Sequence, residues 1–155
     1  MVSKLYREFV DATQKVFNLM LNISDISEQP TEDFKCDNEV DIAVGIVGDL
    51  QGKVIYRFPV STSLNMVNIM SGMEFDAVDI FVSSAISEIA NIISGNVMIA
   101  LSDNKIVCDI LPPEQCNTDN DKPDEDSKEY DINTSCCIST TIGKICLEIR
   151  LNRAS

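Results

Sequence analysis

A glutamate and an asparagine stand three residues apart, at Glu88 and Asn91, inside the run DAVDIFVSSAISEIANIISGNVMIAL that extends from Asp76 to Leu101. On a helix this spacing sets a carboxylate and an amide about 60° apart around the axis and roughly 4.5 Å apart along it. The carboxylate can hold a cation on a partner while the amide orients a water molecule. A helix that only fills a core needs neither group. Ser83, Ser84, Ser87, Ser94 and Gly95 are expected on the same face of an otherwise apolar segment. A Glu and an Asn on a polar helix face are most often merely solvated. Here the small residues around them leave room for a partner backbone to approach.

Other chemistries are excluded by composition. The chain of 155 residues contains no His, which removes His-based triads, a His general base and His metal ligands. Its net charge of −13 argues against nucleic acid and against an anionic membrane surface, both of which need clustered Lys and Arg. No glycine-rich phosphate loop is present. No basic leader followed by an apolar core opens the sequence, and no long apolar run lacks polar interruption. The expectation is a cytoplasmic chain with no membrane span. Six cysteines (Cys36, Cys108, Cys116, Cys136, Cys137 and Cys146) include no C-x-x-C pair, so they read as reduced, small apolar fillers and not as a zinc site.

The elements that position the Glu–Asn pair follow from periodicity. Residues 2–21 carry Leu5, Phe9, Val10, Val16, Phe17, Met20 and Leu21 at helical spacing. A polar loop or irregular strand follows to Glu39. Val40 to Asp49 alternates as a strand, Asp49 to Gly52 reads as a turn, and Lys53 to Val60 returns as the second strand of a hairpin. Ser61 or Thr62 is expected to cap a short helix ending near Gly72, and Asp76 to cap the long helix. Lys105 to Leu111 is a strand stopped by Pro112 and Pro113. Glu114 to Asp131 reads as a solvated acidic insertion. Its Asp119-x-Asp121-x-x-Asp124 spacing lacks the central Gly and closing Glu of a calcium loop. A hairpin around Gly143 closes the chain, with Cys146, Glu148 and Arg150 expected outward on its second strand. The order predicts one α/β (α+β) domain over residues 1–155, with a mixed sheet, helices on one face and antiparallel hairpins at both ends.

The pattern Ser84-x-x-x-Glu88-x-x-Asn91, continued by Ile92, Ile93, Ser94, Gly95 and Asn96, resembles the active-site helix of the CheC/CheX/FliY phosphatases, which act on the phosphorylated response regulator CheY. The family's following proline is met slightly early, at Pro112 and Pro113. The single motif is similar to the CheX branch, as is the Val-Gly-Asp-Leu-Gln-Gly-Lys-Val turn at Val47 to Val54. The likeness covers Val2 to Pro113, weakens over the acidic insertion and returns in the last two strands.

The resemblance implies a phosphatase acting on the phosphoaspartate of a CheY-like response regulator, in a homodimer. Glu88 and Asn91 would be catalytic, Glu88 docking to a partner Lys and Asn91 orienting water. Ser84, Ser87 and Gly95 would serve partner contact and clearance. The chain itself would bind no cofactor and no metal, with Mg²⁺ supplied by the partner. The alternative is a non-catalytic module of the same fold that holds a receiver domain or flagellar switch component.

Overall fold

A computed structural model describes residues 2–29, 38–116 and 130–154. Helix α1 (Val2–Leu21) leads into strand β1 (Ile26–Gln29), then β2 (Glu39–Gly48) and β3 (Leu50–Pro59). Helices α2 (Val60–Ser71) and α3 (Ile80–Asp103) follow, then β4 (Cys108–Ile110), β5 (Glu114–Cys116), β6 (Ile132–Thr140) and β7 (Gly143–Arg153). The strands form a seven-stranded sheet of order β1-β6-β7-β3-β2-β4, with β5 also on β2. The mixed α/β class and the two hairpins are as expected. Every pairing among the described residues is antiparallel.

Alternation explains the sheet's buried face. Val40, Ile42, Val44 and Ile46 of β2 and Val54, Tyr56 and Phe58 of β3 are buried in one core. Ile145, Leu147, Ile149 and Leu151 of β7 join that core under the helices. On α1, Leu5, Phe9, Val10, Val16, Phe17 and Leu21 are buried as expected, but Met20, in the last turn of the helix, is exposed.

The opposite face of the sheet is more closed than its sequence suggests. Cys146 is fully buried instead of outward-exposed, because Cys137 stands directly across from it on β6. Cys136, next in sequence to Cys137, points into the main core. The five described cysteines are unbridged. Burial above all pushes the thiols of Cys136 and Cys146 up to about 12, which keeps them neutral and unreactive. Cys36 lies outside the described residues.

Several boundaries differ from the sequence expectation. The Asp49–Gly52 turn shrinks to Asp49, because Leu50 to Gly52 pair with β7. Helix α2 begins at Val60 with Pro59 before it, and Thr62 donates its hydroxyl to the Lys144 carbonyl instead of capping the helix. Helix α3 begins at Ile80, capped by Asp79 and not Asp76. The acidic insertion is shorter than expected. Glu114–Cys116 pair with β2, and at the other end the Asp131 carboxylate accepts the Arg153 amide hydrogen. Residues 117–129, including the Asp119–Asp124 spacing, lie outside the described residues. Strand β7 lies inside the sheet, flanked by β6 and β3.

By length and mean hydropathy (1.4), α3 could cross a bilayer. Its apolar residues have another use: Val82, Ile86, Ile89, Ile93, Val97 and Leu101 are buried. They pack α3 against the core, which leaves a narrow arc of the helix free.

Candidate active site

Helix α3 starts where the Asp79 side chain accepts a hydrogen bond from the Val82 amide at 2.9 Å. This satisfies one of the donors that a helix leaves open at its N-terminus. From that fixed start, Ser84, Glu88, Asn91 and Gly95 fall at i, i+4, i+7 and i+11, along one stripe. Ser84 and Glu88 are exposed, and Ser87, Asn91 and Gly95 are partly exposed. The structure therefore brings the five expected site residues onto one accessible helix face.

The side chains of Glu88 and Asn91 make no hydrogen bond or ion pair with other described residues. Their polar groups are thus available to a partner or to water. Ser84 and Ser87 are likewise unengaged, whereas Ser83 donates its hydroxyl back to the Ile80 carbonyl at 3.2 Å. Among the described residues, and apart from its own helix backbone, an added Cβ at Gly95 would meet no atom within 4 Å.

Ser94 departs from the expectation. It is fully buried and shares a 2.7 Å hydrogen bond with the Tyr56 hydroxyl of β3. Burial holds the Tyr56 phenol above its usual range, so it remains a neutral hydroxyl in that bond. The contact ties α3 to the sheet one turn from Asn91.

Ile80 and Phe81, whose apolar type in the sequence signals burial, are instead 84 % and 55 % exposed at the start of the stripe. Their spacing of four and three residues before Ser84 was the available signal. Among the described residues, no group of three or more Cys, Asp or Glu is arranged to hold a metal ion.

This architecture recurs in solved structures. Chemotaxis protein CheX from Vibrio vulnificus matches with a TM-score of 0.78 at 17 % identity, over 98 % of this chain and 99 % of that one. The CheX of Borrelia burgdorferi, crystallised as a complex with CheY, BeF3 and Mg²⁺, matches with a TM-score of 0.74 at 26 % identity, over 96 % and 97 % of the two chains. The family model "Chemotaxis phosphatase CheX" matches residues 40–136, more than half of the chain and all of α3. The chain belongs to the CheX family.

Among curated relatives, the CheY-P phosphatase CheX of Thermotoga maritima is 37 % identical over 71 residues. That match spans 45 % of this chain and 46 % of the relative, so it covers about half of each. The family model thus covers the helix on which Glu88 and Asn91 lie.

Proposed function

We propose that this CheX-family chain is a cytoplasmic phosphatase that hydrolyses the phosphoaspartate of a CheY-like response regulator. One observation carries the reading: Glu88 and Asn91 share an exposed face of α3, and neither is engaged by other described residues. The CheX family membership and the CheY complex of the Borrelia relative support the choice of substrate.

The chemistry asks little of the protein. Water attacks phosphorus, the bond from phosphorus to the aspartyl oxygen breaks, and the products are a carboxylate and inorganic phosphate. A loose phosphoryl transition state needs position more than a strong base. The Asn91 amide oxygen accepts a hydrogen bond from the water and aims its lone pair in line with the breaking bond. Orientation of this kind supplies several kcal/mol, about 7–11 at the upper end. Glu88 pairs with a Lys beside the partner's phosphorylation site and fixes the docking angle. Mg²⁺ belongs to the partner and arrives with the substrate.

The test is phosphate loss from a Mg²⁺-loaded, acetyl-phosphate-charged receiver domain of the same organism. Wild-type protein should accelerate it, and Asn91→Ala should lower kcat by about 10²-fold or more with binding retained. Glu88→Ala should act mainly through KM. Binding without acceleration, for every receiver tried, would favour a non-catalytic module that holds the receiver.

A further inference from the structure

The first turn of α3 displays two large apolar side chains beside the Glu88–Asn91 stripe. Ile80 and Phe81 stand four and three residues before Ser84, so they flank the stripe where it begins. The Asp79 cap fixes this turn, which makes the display a feature of the folded helix and not of a frayed end. Phe81 is also held from the side. Its ring stacks on Phe75 with centroids 5.2 Å apart and planes 9° from parallel. Phe75 in turn donates its amide hydrogen to Asn68 Oδ1 at 2.8 Å. A ring already held in place loses little freedom on binding, and such aromatic residues dominate interface energies. Single exposed apolar residues are ordinary, but this pair is adjacent, ordered and continuous with the stripe.

We propose that Ile80 and Phe81 are the apolar anchor on which a phosphorylated receiver domain docks, placing its phosphoaspartate over Glu88 and Asn91. The inference rests on the function proposed above and adds where its protein substrate is gripped. A stable protein contact covers about 800 Å² on each side, a patch roughly 30 Å across. Phe81 and Asn91 are about 15 Å apart along the helix axis, so one partner spans both. The stripe alone offers Ser, Glu, Asn and Gly, which supply orientation but little apolar burial. A second copy of this chain seated on Ile80 and Phe81 would crowd the stripe and block its substrate. The receiver is therefore expected to carry an apolar patch within about 15 Å of its Mg²⁺-loaded phosphoaspartate.

The experiment compares wild type, Ile80→Ser, the double variant Ile80→Ser/Phe81→Ser, and Leu19→Ser as a control. Leu19 is 72 % exposed on α1 and lies off the α3 stripe. Ile80→Ser alters a side chain in solvent, so it guards against loss of folding when the Phe75–Phe81 stack is disturbed. Two readouts are taken: steady-state dephosphorylation, and affinity for the receiver loaded with Mg²⁺ and beryllofluoride. The anchor predicts that the double variant raises KM and weakens affinity about tenfold or more, with kcat retained. Ile80→Ser should give a smaller change in the same direction, and Leu19→Ser none. Unchanged KM and affinity, or equal losses in Leu19→Ser, overturn the anchor. Should wild type hydrolyse no receiver, the phosphatase reading fails and the affinity readout alone decides the anchor.

Discussion

An added methyl group at Gly95 would meet none of the described residues beyond its own helix backbone, so packing does not demand a glycine there. Inside a helix, glycine is about 1 kcal/mol less favourable than alanine. Gly95→Ala should therefore raise the melting temperature by about 2–4 °C per kcal/mol gained. If the chain is the phosphatase proposed above, it should also slow receiver dephosphorylation, because the new Cβ fills space one turn beyond Asn91 over which a receiver would dock. Parallel melting and phosphate-release assays check this; a variant that is stabler and equally active would remove Gly95 from the docking surface. The stripe was legible in the sequence because 3.6 residues per turn fix the azimuths of Ser84, Glu88, Asn91 and Gly95 without knowledge of the rest of the fold. Ser94 was not legible. It lies at the margin of the same arc, and its inward turn depends on Tyr56, which is 38 positions away in sequence. Ile80 and Phe81 were hidden for the opposite reason. Their apolar type signals burial, and their exposure depends on what lies beneath the first turn of α3.

Helix α3 presents its stripe only while its rotation about its own axis is held. The buried Tyr56–Ser94 hydrogen bond of 2.7 Å supplies a directional tie that apolar packing lacks. Tyr56→Phe keeps the ring and removes the tie, at a cost of about 0.5–1.5 kcal/mol in stability. We expect the melting temperature to fall and kcat to fall with it at a temperature where the variant is fully folded, with KM little changed. Adding Ser94→Ala removes the orphaned hydroxyl, so it should recover stability without recovering kcat. Recovery of both, or an unchanged kcat in Tyr56→Phe, would mean that the bond only stabilises the fold. The longer elements were legible because β2, β3, β6 and β7 carry enough alternation to declare themselves. Strands β1 and β5, of four and three residues, do not; pairing with β6 and β2 makes them strands. Leu50 joined β3 for the same reason, since β7 supplies the partner that a local turn signal cannot reveal.

Across the sheet face away from the helices, one row runs Gln29, Cys137, Cys146, Arg57, Asp41 and Cys116, pair by pair. Arg57 binds both oxygens of Glu39, at 2.8 and 3.2 Å, and reaches Glu148 at 3.7 Å. Asp41 beside it is 6 % exposed, and its Oδ1 has no hydrogen-bond partner among the described residues. Burial first, then the neighbouring Glu39 carboxylate, push the Asp41 carboxyl up to about 7, against the pull of Arg57. In the unfolded chain the same group titrates near 3.8. The folded state therefore binds more protons through Asp41 between these values, and stability falls as pH rises across that window. Above about pH 7 the fold holds an ionised carboxylate that it solvates poorly. Asp41→Asn removes that charge, so it should melt at a higher temperature than wild type at pH 8 and lose the advantage near pH 4. Other carboxylates titrate in both proteins, and the difference between their melting curves isolates Asp41. Receiver dephosphorylation should be unchanged, because Asp41 lies on the sheet face opposite α3. Identical melting at pH 8 would mean that Arg57 fully compensates the buried charge. A loss of activity in Asp41→Asn would instead tie this sheet face to α3.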